Sequence, residues 1–109
     1  MIEFSDFLKV QIAVGTVLSA KLNPKAQKPA YVLTIDFGDL GTKTSSAQIV
    51  PNYQPEELVG RQICAVMNFE PKRVAGVKSE VLVLAVTDEQ LGNVLLGPER
   101  MVNNGMRIL

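Results

Sequence analysis

A small all-β barrel is the fold this sequence predicts, on three observations. Apolar residues alternate with period two over most of the chain, the pattern of strands with one face on a core. Clusters of Gly, Pro, Asn and Asp punctuate the alternating runs at short intervals. The length of 109 residues, 47% of them hydrophobic, suffices for one core and is too short for two. The expected organisation is one domain over residues 1–109.

Ser5 is placed to cap a short N-terminal helix carrying Phe7 and Leu8. In the first strand the even positions Ile12, Val14, Leu18, Ala20 and Leu22 are expected on one face, with Ala13, Ser19 and Lys21 between them. Gly15, inside that strand, suggests a bulge or sharp bend. After a turn-rich stretch from Asn23 to Pro29, Tyr31, Leu33, Ile35 and Phe37 point one way and Val32, Thr34 and Asp36 the other. Gly38 to Gly41 form a short hairpin connection, and Lys43 to Ile49 the returning strand. From Pro51 to Gly60 the β pattern breaks. Pro55 opens a helical turn, Glu56 and Glu57 suit its positive end, and Gly60 closes it. Arg61 to Phe69 is a fourth strand, Glu70 to Lys78 a loop in which Gly76 supplies a positive-φ turn, and Glu80 to Val86 a fifth strand. A weak strand at Asn93 to Leu96 and an irregular tail complete the chain. Five strands, a bent first strand and a helical turn between strands three and four describe a five-stranded OB-type barrel with short helical elements.

Composition narrows the function. Eleven basic residues balance eleven acidic ones, so no overall positive field draws nucleic acid, although a local basic face is not excluded. The absence of His removes the usual general base, the commonest metal ligand and the usual triad partner. One Cys, Cys64, can make neither an internal disulfide nor a Cys-rich zinc site, and its apolar run reads as a buried strand thiol. No phosphate loop, metal set or cofactor motif occurs, so no cofactor and no enzymatic activity are expected. The acidic N-terminus does not read as a signal peptide, and no apolar stretch approaches the roughly 20 residues of a membrane span. A soluble, cytoplasmic protein without membrane insertion is the expectation.

The stretch from residue 53 to 84 is the most specific part of the chain. It reads Tyr-Gln-Pro-Glu-Glu-Leu-Val-Gly, then Ala-Val-Met-Asn-Phe-Glu-Pro-Lys-Arg-Val-Ala-Gly-Val-Lys-Ser-Glu-Val-Leu-Val-Leu. This resembles the tRNA-binding domain, whose pattern runs Y-x-P-E-E-L-x-G and then V-x-N-L-x-P-R-K-x-x-G-x-x-S. Upstream, Val10 to Val17 matches the family's D-x-R-V-G opening, with Gln11 and Ala13 in place of the usual Asp or Arg. The resemblance covers about residues 8–87. Ser45-Ser46-Ala47-Gln48-Ile49 and Ser79-Glu80-Val81-Leu82-Val83-Leu84 are similar to the CsaA branch of that superfamily. That resemblance implies an export-related chaperone that binds unfolded preproteins and the SecA translocase motor. The alternative it leaves is a structure-specific tRNA binder acting through shape and phosphates.

Candidate ligand residues follow. Lys72, Arg73 and Lys78, with Arg61, form a basic cluster whose local charge is +3 against Glu70. It reads either as a phosphate-tracking surface or as a solvated loop. Asn68 either donates to a ligand or bonds the loop's own main chain. Ser45, Ser46, Gln48 and Ser79 offer short polar groups for a peptide main chain or a nucleotide. A Ser pair without a base is no nucleophile. Tyr53 and Phe69 are candidates for base stacking, with core packing the better reading of Phe69. Finally, Ile2, Phe4, Phe7 and Leu8 at one end, and Val94 to Leu96, Met101, Val102, Met106, Ile108 and Leu109 at the other, exceed what one small barrel buries. The terminal extensions are therefore expected to form a homodimer interface.

Overall fold

The structure, a computed structural model, describes residues 1–50 and 52–109; Pro51 lies outside the described residues. Two short helices, α1 (Phe4–Leu8) and α2 (Pro55–Leu58), accompany nine strands. The strands are β1 (Ile12–Leu22), β2 (Tyr31–Asp36), β3 (Thr42–Ala47), β4 (Gln62–Val66), β5 (Lys72–Val74), β6 (Val77–Ser79), β7 (Leu82–Val83), β8 (Ala85–Asp88) and β9 (Gly92–Leu95). Five of them form an antiparallel sheet in the order β3-β2-β1-β4-β7, while β5-β6 and β8-β9 are separate hairpins. The five curl into a nearly closed barrel, the OB-type architecture.

β1 is the shared strand. Ile12 to Thr16 pair with β4, and Thr16 to Leu22 pair with β2. The register slips between Val17 and Ser19, so Leu18 is the bulged residue. That slip overturns the simple even-position face. Ala13 and Val17 face the core before the bulge and Ala20 after it, whereas Leu18 is exposed. Gly15 has a different role from the bend expected of it. A Cβ there would stand 2.6 Å from the Phe37 ring and 2.7 Å from Ile35, so the missing side chain makes room for Phe37. Phe37, Leu33, Ile35, Leu58 and Ile63 are fully buried and centre the core.

Local chemistry sets the helices. Glu3, not Ser5, caps α1, through a reciprocal capping box with Asp6. Gln54 and Glu57 form the same box at α2, where Pro55 occupies the first turn. Gly60 then leaves α2 with φ +89°. The expected fifth strand, Glu80 to Val86, is broken into β7 and the start of β8, because the chain must leave β3, join β4 and then turn away. The β8-β9 turn is capped by Asp88. Backbone N–H groups of Leu91 (2.8 Å) and Gln90 (2.9 Å) bond its carboxylate and hold it below the ordinary carboxylate pKa.

The C-terminal segment lies along β1 on the edge that β2 leaves open. Val14 N–H donates to Met106 O, Gly105 N–H to Val14 O, and Ile108 N–H to Ile12 O. Asn104 anchors it: its Oδ1 accepts from Thr16 Oγ1 (2.8 Å) and Gln62 Nε2 (3.1 Å). Outside the barrel, Val14 pairs with Cys64, and both are buried. Burial pushes the Cys64 thiol up from its ordinary pKa, as an inert structural cysteine requires. The Gly15 geometry yields a test. Gly15→Ala should lower stability to urea by about 1–3 kcal/mol, the usual effect of overpacking a dense core; an unchanged midpoint would show that Phe37 can move aside.

Candidate ligand-binding groove

β3 is the edge strand of the barrel, and the way its edge is closed creates the site. Among the described residues one main-chain bond crosses from β3 to the following segment at this point, Glu80 N–H to Thr44 O (2.7 Å). The outward N–H groups of Thr44 and Ser46 are taken by side chains instead. Thr44 N–H donates to Glu80 Oε1 (3.0 Å) and Ser46 N–H to Ser79 Oγ (3.1 Å). Beneath them Ser45, 0% exposed, donates its hydroxyl to Val81 O at 3.0 Å. Ser79 and Glu80 thus act as a side-chain seam in place of a ladder, which leaves a gap at the surface that a zipped strand would fill.

That gap is a groove of about 600 Å³ between β3 and the β5-β6 hairpin. Ser46, Gln48, Lys72 and Ser79 line it with Val74, Val81, Phe69, Leu82, Glu70 and Glu80. Phe69 is 58% exposed and Leu82 50%, so two large apolar side chains face solvent there. The expectation that Phe69 packs in the core is corrected. Ile63 and Ala65 do face inward and Met67 packs against them, but β4 ends at Val66 and the alternation does not reach Phe69.

A second groove of about 490 Å³ continues from the first, sharing Ser46, Gln48 and Val74 and adding Lys25, Gln27 and Lys28. Its far wall is the β1-β2 loop, which Asn23 ties to the hairpin tip. Asn23 Nδ2 donates to Ala75 O (3.2 Å), Asn23 Oδ1 accepts from Lys25 N–H (3.0 Å), and Asn23 N–H donates to Ala30 O. At the tip, Ala75 (φ +48°) and Gly76 (φ +83°) both adopt the left-handed conformation that a tight two-residue hairpin needs.

The sequence-predicted residues divide into three groups. Ser46, Gln48, Lys72 and Ser79 meet at the groove. Arg73 and Lys78 stand directly opposite each other on the hairpin, out of the groove face, so the basic cluster is split by the alternation of a strand. Arg61 is elsewhere, its guanidinium 5.1 Å from the Tyr53 ring centre. Tyr53, Ser45 and Asn68 form the third group and are engaged within the fold. Tyr53 is 9% exposed; its hydroxyl accepts from Leu95 N–H at 3.0 Å, and its carbonyl accepts from Tyr31 Oη at 2.6 Å. Asn68 clamps the chain entering β1, accepting from Gln11 N–H (2.9 Å) and donating to Lys9 O (2.7 Å). Sequence reasoning missed Glu80 as a seam residue, Asn23 as an anchor, and Lys25, Lys28 and Leu82 as groove lining. The Asn23-Pro24 turn was the one local signal for the second groove. Among the described residues no cluster of His, Cys, Asp and Glu could hold a metal. Also among them, no helix is long and apolar enough to cross a membrane.

A nearly closed antiparallel barrel with a polar and apolar groove at its edge strand defines a ligand-binding OB-type domain. Residues 12–107 match the family described as putative tRNA binding domain, and the chain belongs to that family. Within it the chain is of the CsaA type. It superimposes on chaperone CsaA from Bacillus anthracis with a TM-score of 0.94 and 52% identity, covering 100% of this chain and 99% of that one. CsaA chaperone protein from Picrophilus torridus gives a TM-score of 0.94 at 44% identity, each chain covered in full. Methionine–tRNA ligase of Bacteroides fragilis is 39% identical over 107 residues, 98% of this chain but 16% of the ligase. The chain therefore spans only a small part of the curated ligases it matches. The matched family is one of binding domains, and in the ligases it makes up a small part of a longer chain.

The Asn68 clamp separates a structural from a ligand-contact role. Asn68→Ala should destabilise the fold by about 1–2 kcal/mol through two lost hydrogen bonds, read by denaturant titration, while ligand affinity stays within about twofold. A selective loss of ligand with unchanged stability would return Asn68 to the site.

Proposed function

We propose that the protein is a cytoplasmic, homodimeric chaperone that holds unfolded preproteins for export and delivers them to a SecA-type translocase motor. The observation that carries this reading is the groove itself, with Phe69 and Leu82 half or more exposed beside a strand edge. Among the described residues β5 pairs with β6 alone, so its other edge has main-chain groups to offer an extended segment. Apolar burial on Phe69, Val74 and Leu82 with main-chain bonding binds sequences of little common pattern, as a preprotein chaperone must. The full-length similarity to two CsaA chaperones supports the same reading.

One observation favours tRNA as a second ligand. Arg73 and Lys78 are exposed, directly opposite each other, and among the described residues neither stands in an ion pair. Facing like charges repel unless an anion lies between them. The family match gives that anion a chemistry, the phosphates of tRNA.

Homodimerisation is proposed from the termini. Ile2, Phe4, Leu8, Met101, Val102, Met106 and Leu109 are all exposed on the protomer. A two-fold interface through both terminal segments covers them and presents two grooves to one client, which raises affinity by effective concentration.

Two experiments follow. A labelled unfolded preprotein segment and a tRNA are titrated into the protein at about 50 and about 300 mM salt. Peptide affinity should change little, and tRNA affinity should fall by roughly tenfold or more. Leu82→Asp should weaken the peptide about tenfold, and Arg73→Glu with Lys78→Glu the tRNA. A steep salt slope for both ligands would defeat the apolar-groove reading. Deleting Met101 to Leu109 should give monomer or aggregate in sedimentation; an intact soluble dimer would place the interface elsewhere.

A further inference from the structure

The two halves of the channel differ in charge. The half beside Phe69 and Leu82 carries Glu70 and Glu80 against Lys72, a net charge of −1, whereas the half beyond Ser46 and Gln48 carries Lys25 and Lys28 and no acid. Among the described residues neither of those two lysines is in an ion pair. Their position is fixed by the fold. Asn23, 9% exposed, holds the loop that carries them to the tip of the hairpin that walls the groove. The floor is continuous, since Ser46, Gln48 and Val74 belong to both halves. Ser46 and Gln48 are two residues apart near the end of β3, and an extended chain covers about 7 Å in two residues. An extended peptide that follows this shared floor from Phe69 and Leu82 therefore runs toward the lysines.

We propose that the groove reads charge together with apolarity: its preferred client segment is extended, carries an apolar residue for Phe69 and Leu82, and places an acidic residue a few positions away, at Lys25 and Lys28. This inference rests on the peptide-groove reading and names the class of segment that site selects. The apolar contact supplies affinity. The lysines supply register and direction, because like charge at either end is disfavoured while two exposed opposite charges gain a modest, salt-sensitive attraction. A basic residue next to the apolar one is accommodated by Glu70, so segments with the basic-apolar-acidic order fit best.

The test uses the full chain and a panel of labelled peptides sharing one Leu-Phe pair. In the panel, a pair of Asp, Lys or Ser residues lies two or four positions before or after the Leu-Phe pair. Fluorescence anisotropy should rank Asp above Lys by about three- to tenfold in one of the two orders, the scale expected of two exposed ion pairs. The gap should close in about 1 M salt. Lys25→Glu with Lys28→Glu should invert the ranking, and Lys28→Glu alone should shrink it, with the melting transition confirming a folded chain in each case. The same ranking in the wild type and the reversed variant would overturn the inference. So would variants that lose tRNA binding with peptide ranking intact, since the lysines would then serve RNA. Failure of every peptide to bind, the Ser series included, would instead defeat the chaperone reading itself.

Discussion

The structure turns on how the outward N–H groups of Thr44 and Ser46 are satisfied. A barrel must pair its last edge strand, and an unpaired edge invites association. Here the pairing is done by the Glu80 carboxylate and the Ser79 hydroxyl, with a single main-chain bond from Glu80 N–H to Thr44 O. Beyond that one bond the two segments meet through side chains and not through a continuous main-chain ladder. The edge is therefore closed to uncontrolled pairing yet leaves space between β3 and the β5-β6 hairpin. The same segment then runs on to pair Leu82 and Val83 with β4, which shuts the barrel from the other side. Closure and groove are one feature seen from two sides.

The hairpin converts a compact cluster of cations into two separate surfaces. Lys72 and Ser79 are opposite each other on the groove face, and Arg73 and Lys78 are opposite each other on the other face. A proposed peptide in the groove and a proposed polyanion on the outer face would therefore compete only weakly for side chains. The hairpin is held at its tip as well as its base. Ala75 adopts φ +48°, a conformation that costs about 1–2 kcal/mol for a residue with a Cβ, and the Asn23 amide bonds its carbonyl.

On the opposite side of the barrel the C-terminal segment is part of the protomer's own fold. It bonds β1 at Ile12 and Val14, and Asn104 links it to Thr16 and Gln62. Together with the buried Val14–Cys64 pair this makes a thin layer outside the barrel. The segment still leaves Met101, Met106 and Leu109 exposed, so its own docking does not use up its apolar surface. The two-fold interface proposed above would cover what remains.

Much of this was legible in the sequence because it depends on local chemistry. Alternation located β1 to β4, Pro55 and Gly60 framed α2, and Gly76 marked a turn, although the residues around it, expected as a loop, form the strands β5 and β6. Linear motifs also carried the family, since Tyr53 to Gly60 and Asn68 to Ser79 keep their order and spacing. What the sequence could not supply is which residues share a face once a strand slips or ends. The bulge at Leu18 switches the inner face of β1 from odd positions before it to even positions after it, and the end of β4 at Val66 puts Phe69 in solvent. Asn68 and Ser45 are candidate ligand groups in the sequence for their polar atoms, and Tyr53 for its stacking ring. Their partners, Gln11, Val81 and Leu95, lie 36 to 57 residues away and are met only in the folded chain. Composition, periodicity and turn chemistry act over a few residues and so determined the elements. The groove was decided by tertiary structure, because its lining comes from four separate segments whose proximity exists only once the barrel closes.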